Sequence, residues 1–405
     1  MYALTCEVCD WRAPGGSSSA CPKCGGFVEI SYQRPLTTDT TRPGIWRYAS
    51  RLPLQDPANA VSLGEGGTPL LPAGRLGRAL DLPGLHFKLE GANPTGSYKD
   101  RIAAVGISRL RETGKAAWAA TSSGNAGAAI AAYGARAGVP GHLFTLERAA
   151  PAKLAQILAY GPTVRAVARL GYDPAVEQTT WRNLRAICDS NNWSMLVTAR
   201  TLSPHAMEGA KTISYEVCEQ LGGRPPDVVY IPVGGGGLLS ASWKGFIEWR
   251  AAGLIDRLPH MVAVQAQGCD PIVQAWAAGR PVAPIAGCES AISGIQLTAP
   301  PDGDLALRAL RESGGWAVAV PDEATYSAQA ELAAAEGIFA EPAAATALAA
   351  VRADLASGRL RGDETVACWL TGVGFKDMVA AQRMAEGHAV ERIQVEQILA
   401  LAASG

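Results

Sequence analysis

From residue 85 onward the chain alternates short apolar runs with alanine-rich stretches, and this alternation restricts the fold more than any other feature of the 405 residues. Candidate strands are LHFKLE (85–90), AAWAAT (116–121), GHLFTL (141–146), TVRAVA (163–168), SMLVTA (194–199), DVVYIPV (227–233), MVAVQAQ (261–267) and TVACWLT (365–371). Between them AGAAIAAYGARAG (126–138), EGAKTISYEVCEQLGG (208–223) and LLSASWKGFIEWRAAG (238–253) read as helices. Strand, helix, strand in steady succession predicts an α/β protein with parallel sheets covered on both faces. Ligands on such sheets bind beyond the carboxyl ends of the strands, so function is sought in the loops that follow them.

Three of those loops carry unusual residues. TSSGNAG (121–127) joins a strand to an alanine-rich helix, and its hydroxyls, glycines and fresh helix amides make a seat for a carboxylate. Taken alone it reads equally as an N-cap and a tight turn. PVGGGGLLSA (232–241) places Gly234, Gly235, Gly236 and Gly237 between an apolar strand and a helix, where several N–H groups could wrap one phosphate. No Lys-Ser/Thr follows as in a Walker loop, and G-x-G-x-x-G fits poorly, so the pattern suits a resident phosphorylated cofactor held by backbone. WLTGVGFKD (369–377) ends the last apolar strand at Thr371 in a glycine-rich turn.

PTGSYKD (94–100) places Lys99 behind a proline, a glycine and a hydroxyl residue, with Asp100 and Arg101 following. Nothing local marks that amine as reactive.

The N-terminus carries a different chemistry. Cys6-x-x-Cys9 and Cys21-x-x-Cys24 are two pairs of thiols separated by a polar Gly/Ser-rich loop, a spacing that suits a tetrahedral zinc site of ribbon type. A pair of disulfides and an iron centre are the alternatives. Four sulfurs leave the ion no open position, so its expected role is structural. The other five cysteines (Cys188, Cys218, Cys269, Cys288 and Cys368) lie in apolar segments and read as core.

A formal net charge of −1 provides no field to gather nucleic acid or an anionic membrane. The opening MYALTCEVCD does not read as a secretory signal, and the apolar stretch 124–144 is broken by Asn125, Arg136 and Pro140. The expected address is cytoplasmic, with neither nucleic acid nor membrane as partner.

GANPTGSYKDR, TSSGNAG, the glycine run and LTGVGFKD occur in this order, and together they resemble threonine synthase and its relatives among the fold type II pyridoxal-phosphate enzymes. EGGTPL (65–70), WKGFIEW (243–249), GLIDRLP (253–259) and EGIFAEPAAA (336–345) extend the resemblance over nearly the whole chain, and some members also carry the ribbon. The resemblance implies a zinc ribbon at 1–32, a large cofactor-binding domain from 33–95 and 209–405, and a smaller mobile α/β domain at 96–208. It implies that Lys99 forms the Schiff base with pyridoxal phosphate, and that Asn125 bonds the ring's phenolic oxygen. Gly234, Gly235, Gly236, Gly237 and Leu238 would give amides to the phosphate, and Thr371 would face the pyridine nitrogen. Thr121, Ser122, Ser123, Gly124 and Asn125 would hold the carboxylate of an amino acid substrate. A homodimer is the family's expected assembly.

The chain also departs from threonine synthase. The N-P-x-R-x-E-G-Q-K-T stretch that serves the substrate phosphate there is SPHAMEGAKT here, with Ser203 for Asn, Ala206 for Arg and Ala210 for Gln. Losing the arginine removes a bidentate fork. The S-T-G-N-T pattern has become Ser122-Ser123-Gly124-Asn125-Ala126, and the glycine run and SGIQ (293–296) look more like serine and threonine dehydratases. Ser203 and His205 remain as substrate contacts, and His205 or Arg200 could restore positive charge. The favoured reading is a lyase that eliminates or replaces a side-chain substituent of a hydroxy or otherwise substituted amino acid. Threonine synthase itself is the alternative, followed by β-replacement of cysteate-synthase type. Lys99, Asn125 and Thr371 argue against a binding protein without turnover.

Overall fold

A computed structural model describes residues 2–398, with 17, 148, 150, 172, 387 and 388 excepted. At the front, β1 (Tyr2–Cys6), β2 (Arg12–Pro14) and β3 (Val28–Tyr32) form an antiparallel sheet in the order β2-β1-β3. The chain continues through β4 (Leu70–Pro72) and β5 (Leu85–Leu89), then β6 (Ala117–Thr121), β7 (Gly141–Leu146), β8 (Thr163–Val167) and β9 (Trp193–Met195). Strands β10 (Val228–Pro232), β11 (His260–Ala266), β12 (Trp316–Val320) and β13 (Val366–Leu370) complete it.

Two further sheets result. One has six strands in the order β12-β11-β10-β13-β5-β4, parallel except where β4 runs antiparallel to β5. The other is parallel throughout, with the order β8-β7-β6-β9. In β10 (VVYIP) and β13 (VACWL) every residue is buried, as parallel strands covered on both faces require. This is the α/β architecture that the alternation predicts.

Three details differ from the sequence reading. Strand β12 was not expected: WAVAV is a short, half-buried edge strand beginning just beyond Gly314, and five residues give little period to read. β9 ends at Met195 rather than 199, because the Ser203 hydroxyl accepts from Val197 N (3.0 Å) and donates to Met195 O (3.0 Å), turning the chain there. Cys269 and Cys288 are joined as a disulfide rather than lying as separate core thiols, whereas Cys188, Cys218 and Cys368 are free and buried.

The front sheet is fastened to the body by charge. Glu29 of β3 pairs with Arg200 and with Lys244 (2.6 Å), Lys244 reaches Glu208 (2.7 Å), and Tyr32 donates to Glu208 (2.8 Å). Burial alone would raise the Glu29 carboxyl, but the Arg200 and Lys244 charges outweigh it and hold the group ionised. Among the described residues no helix is long and apolar enough to cross a membrane.

Candidate active site

The glycine turn begins where β10 ends. Gly236 has φ 90°, a left-handed conformation that a side chain disfavours, and a Cβ there would lie 2.4 Å from Asp302 O. Asp302 is held against the turn by its N–H to Gly235 O (2.9 Å), and its carboxylate accepts from Arg200 N (2.6 Å) and Thr201 N (2.9 Å). Helix Gly237–Ala251 then starts. Among the described residues, none of the N–H groups of residues 234–239 donates to a protein acceptor. Free amides at a helix start, on a backbone too crowded for side chains, fit a phosphate.

Lys99 opens helix Lys99–Glu112. Two hydrogen bonds stitch the turn before it to the turn after β13, Tyr98 N to Thr371 O (3.1 Å) and Val373 N to Gly96 O (3.0 Å). Lys99 and Thr371 therefore share one corner of the fold. The Lys99 amine donates to Thr198 Oγ1 (3.0 Å) and lies 4.4 Å from the centre of the Tyr98 ring. Thr198 O in turn lies 3.6 Å from the point that a Cβ on Gly237 would occupy, which places the amine beside the glycine turn. Thr371 is buried, and its hydroxyl has no hydrogen bond among the described residues. Directly behind Lys99, the Asp100 carboxylate accepts from Thr95 N and from the Thr95 hydroxyl (2.9 Å), and burial pushes its pKa up to about 7.

The TSSGNAG loop follows β6. Ser122 Oγ accepts from Gly124 N (3.2 Å) and Gly127 N (3.0 Å), which curls the loop into the start of helix Asn125–Ala137. The N–H groups of Ser123, Asn125 and Ala126 are left without a protein acceptor among the described residues. Thr121 ends the strand, paired with Phe144. The Asn125 side chain is spoken for: its Nδ2 lies 3.1 Å from both carboxylate oxygens of Glu341. Glu341 N donates to Gly372 O (3.0 Å), so the contacts run continuously from Thr198 through Lys99, Tyr98, Thr371, Gly372 and Glu341 to Asn125.

Thr198 and Glu341 were not read as site residues from sequence. Thr198 stood at the carboxyl end of a candidate strand, and Glu341 lay within EGIFAEPAAA, so position and resemblance were the available signals. The expected substrate contacts Ser203 and His205, and Arg200 as a possible source of positive charge, have other partners in the structure. Ser203 spends its hydroxyl on Val197 and Met195. Arg200 turns to Glu29 and stacks on Phe27, 5.4 Å from the ring centre. His205 lies edge-on to Tyr2 of β1 at 5.8 Å, and burial, helped by the Arg109 charge, pushes its pKa down to about 4.

His205 therefore favours the folded state as a neutral ring. Its folded pKa lies below the ordinary value of about 6.5, so its contribution is complete above that pH and is lost as pH falls towards 4, reaching about 3 kcal/mol. Denaturant unfolding of His205→Phe against the parent across this window should show the variant losing less stability on acidification. Parallel profiles would refute the assignment.

At the N-terminus, Cys6, Cys9, Cys21 and Cys24 bring their sulfurs within 4.8 Å of one another. Cys6 and Cys24 are 3.5 Å apart and Cys9 and Cys21 3.7 Å, near the ~3.8 Å that tetrahedral zinc–thiolate bonds of ~2.3 Å require. The cluster is compatible with a metal.

Residues 61–372 match the family model described as pyridoxal-phosphate dependent enzyme. Threonine synthase of Methanocaldococcus jannaschii is 38% identical over 384 residues, covering 92% of each chain. The chain belongs to the threonine synthase family of pyridoxal-phosphate enzymes. Threonine synthase of Methanosarcina acetivorans is 37% identical over 386 residues and 93% of each chain. The processed form of threonine deaminase isoform 2 from Solanum lycopersicum matches with a TM-score of 0.67 at 19% identity, over 93% of this chain and 98% of that one, which places the fold among the type II pyridoxal-phosphate enzymes. The residues fit that family's cofactor: free amides for a phosphate, a lysine beside them, and an unpaired threonine hydroxyl on the adjoining turn.

Proposed function

We propose that this threonine-synthase-family enzyme is a lyase that eliminates the side-chain substituent of a hydroxy or otherwise substituted amino acid. Lys99 would be the covalent anchor of pyridoxal phosphate, residues 234–238 would give amides to its phosphate, and Thr371 would offer its hydroxyl to the pyridine nitrogen. The bound cofactor makes the proton on the substrate's α-carbon acidic by delocalising the electron pair left behind. The free amides of Ser123, Asn125 and Ala126 hold the substrate carboxylate. Lys99 Nζ would serve as the base that takes the α-proton and would return it to the departing group. As a neutral partner Thr371 would leave the ring a weaker electron sink, which would favour prompt loss of a β or γ substituent.

One observation carries the choice of substrate. Every basic side chain of residues 200–211 is committed away from a substrate phosphate: Arg200 to Glu29, His205 as a buried ring on Tyr2, and Lys211 to Glu208 (2.6 Å) and Glu248 (3.0 Å). Ala206, where threonine synthases carry arginine, is buried against the helix that starts at Lys99. The second reading, threonine formation from O-phosphohomoserine, is favoured by the names of the relatives. A panel of serine, threonine, phosphoserine and O-phosphohomoserine, followed by 2-oxo acid, ammonia and phosphate release, separates the two. The lyase reading expects 2-oxo acid from at least one of the first three, and a kcat/KM for O-phosphohomoserine at least ~10²-fold lower, as loss of a charged fork predicts. Efficient threonine production would overturn it. The four thiolates are assigned a structural zinc: metal analysis should find one per chain, and chelation should loosen the front sheet while leaving the cofactor bound.

A further inference from the structure

We infer that Glu341 is a positioning residue that fixes which edge of the Asn125 amide faces the cofactor, an inference that rests on reading this site as a pyridoxal-phosphate site. An ionised carboxylate only accepts hydrogen bonds, so the group Asn125 presents to it is the NH2, which the 3.1 Å distances to both oxygens reflect. One amide hydrogen is thereby placed on Glu341. The other remains to be donated, and the phenolic oxygen expected in front of Asn125 is an acceptor. With Glu341 gone, the amide is free to turn over and present its own oxygen, which repels that partner.

The carboxylate is itself firmly placed. Glu341 is the residue before helix Pro342–Ala356, its N–H is tied to Gly372 O (3.0 Å), and Ala340 bridges Val373. Gly372 has no room for a side chain, since a Cβ would stand 2.3 Å from Glu341 Oε1. The same carboxylate thus touches the turn carrying Thr371 on one side and the loop carrying Asn125 on the other. Its charged neighbours are Lys376 and Lys153, which favour the ionised form, and Asp377, which opposes it, while burial raises its pKa overall. Neither lysine is within ion-pair distance, so Asn125 is its direct side-chain partner among the described residues.

The test is a double-mutant cycle read by cofactor binding. Apo-protein of the parent, Glu341→Ala, Asn125→Ala and the double variant is titrated with pyridoxal phosphate, following the visible band. Glu341→Ala is expected to weaken binding about tenfold and shift the band, as loss of one oriented hydrogen bond to an ionised group predicts. In the Asn125→Ala background its removal should change affinity less than about twofold, because a residue acting through Asn125 has nothing left to act on. A Glu341→Ala protein with the parent's affinity and band overturns the inference, as does a loss that persists at about threefold or more without Asn125. Should Glu341→Ala not fold, Glu341→Gln is read instead: a smaller loss that vanishes without Asn125 supports the inference, and parent-like binding or a persisting loss overturns it. A parent chain that takes up no cofactor overturns both this and the site reading; a parent that binds with an inert Glu341 overturns this alone.

Discussion

Lys99→Ala is expected to lower turnover at least ~10³-fold and to abolish the visible band of cofactor bound to the enzyme through its lysine. Both roles proposed for Lys99 would be lost together, the covalent anchor and the base that moves the α-proton, and a general base alone is worth about 10²–10⁴-fold in ordinary cases. Nothing nearby can take over. The Tyr98 ring and the Thr198 hydroxyl that hold the amine carry no amine of their own, and Lys376, the next lysine towards this corner, donates to Gln156 (2.6 Å). The variant should still fold, since among the described residues the one hydrogen bond lost from the Lys99 side chain is that to Thr198. Absorbance and single-turnover rate check this; a variant with the parent's band would remove Lys99 from its role.

Two residues further along, Arg101→Ala is expected to cost about 3–5 kcal/mol of stability, the largest effect of any single change away from the site. Arg101 is fully buried. Its guanidinium forks onto Glu90 (2.7 and 2.8 Å) and onto Glu216 (2.6 and 2.7 Å), Thr212 accepts from its remaining hydrogen (3.0 Å), and Thr68 Oγ1 lies 3.1 Å from Nη2 while donating to Glu90 (2.7 Å). Lys88, also buried, completes the cluster by pairing with Glu216 (2.7 Å). Two positive and two negative groups balance; removing Arg101 leaves two carboxylates facing one lysine with no water to screen them. Arg101→Lys keeps the charge but loses the fork and should fall between. The denaturant midpoint reads the effect. A loss below about 1 kcal/mol for Arg101→Ala would show that the cluster does not hold the Lys99 helix in place.

Much of this was legible in sequence because it is local. The glycine run, TSSGNAG and Thr371 each sit at the carboxyl end of an apolar strand, the end of a parallel sheet where ligands bind, the first and last on the six-stranded sheet and TSSGNAG on the four-stranded one. The architecture followed from the same alternation. What escaped depends on contacts between distant segments: Glu341 lies 216 positions from the Asn125 it binds, and no period in either segment announces the pair. The settings of His205 and Arg200 were illegible for the same reason. Both stand in or beside SPHAMEGAKT, and sequence proximity suggested a shared target, yet their side chains meet Tyr2 and Glu29 of a sheet whose docking no local pattern encodes. Cys269 and Cys288 read as core for a like reason: their spacing lacks the short repeat that marked the four N-terminal thiols.

The proposed site has a single amine, Lys99, to hold the cofactor covalently where the glycine turn, the TSSGNAG loop and Thr371 meet. Borohydride reduction of the protein loaded with pyridoxal phosphate, followed by peptide mapping, tests it most directly. A single pyridoxyl group is expected on Lys99, in near-stoichiometric yield. A modification spread over surface lysines, or carried by Lys376 or Lys153 with Lys99 untouched, would contradict it.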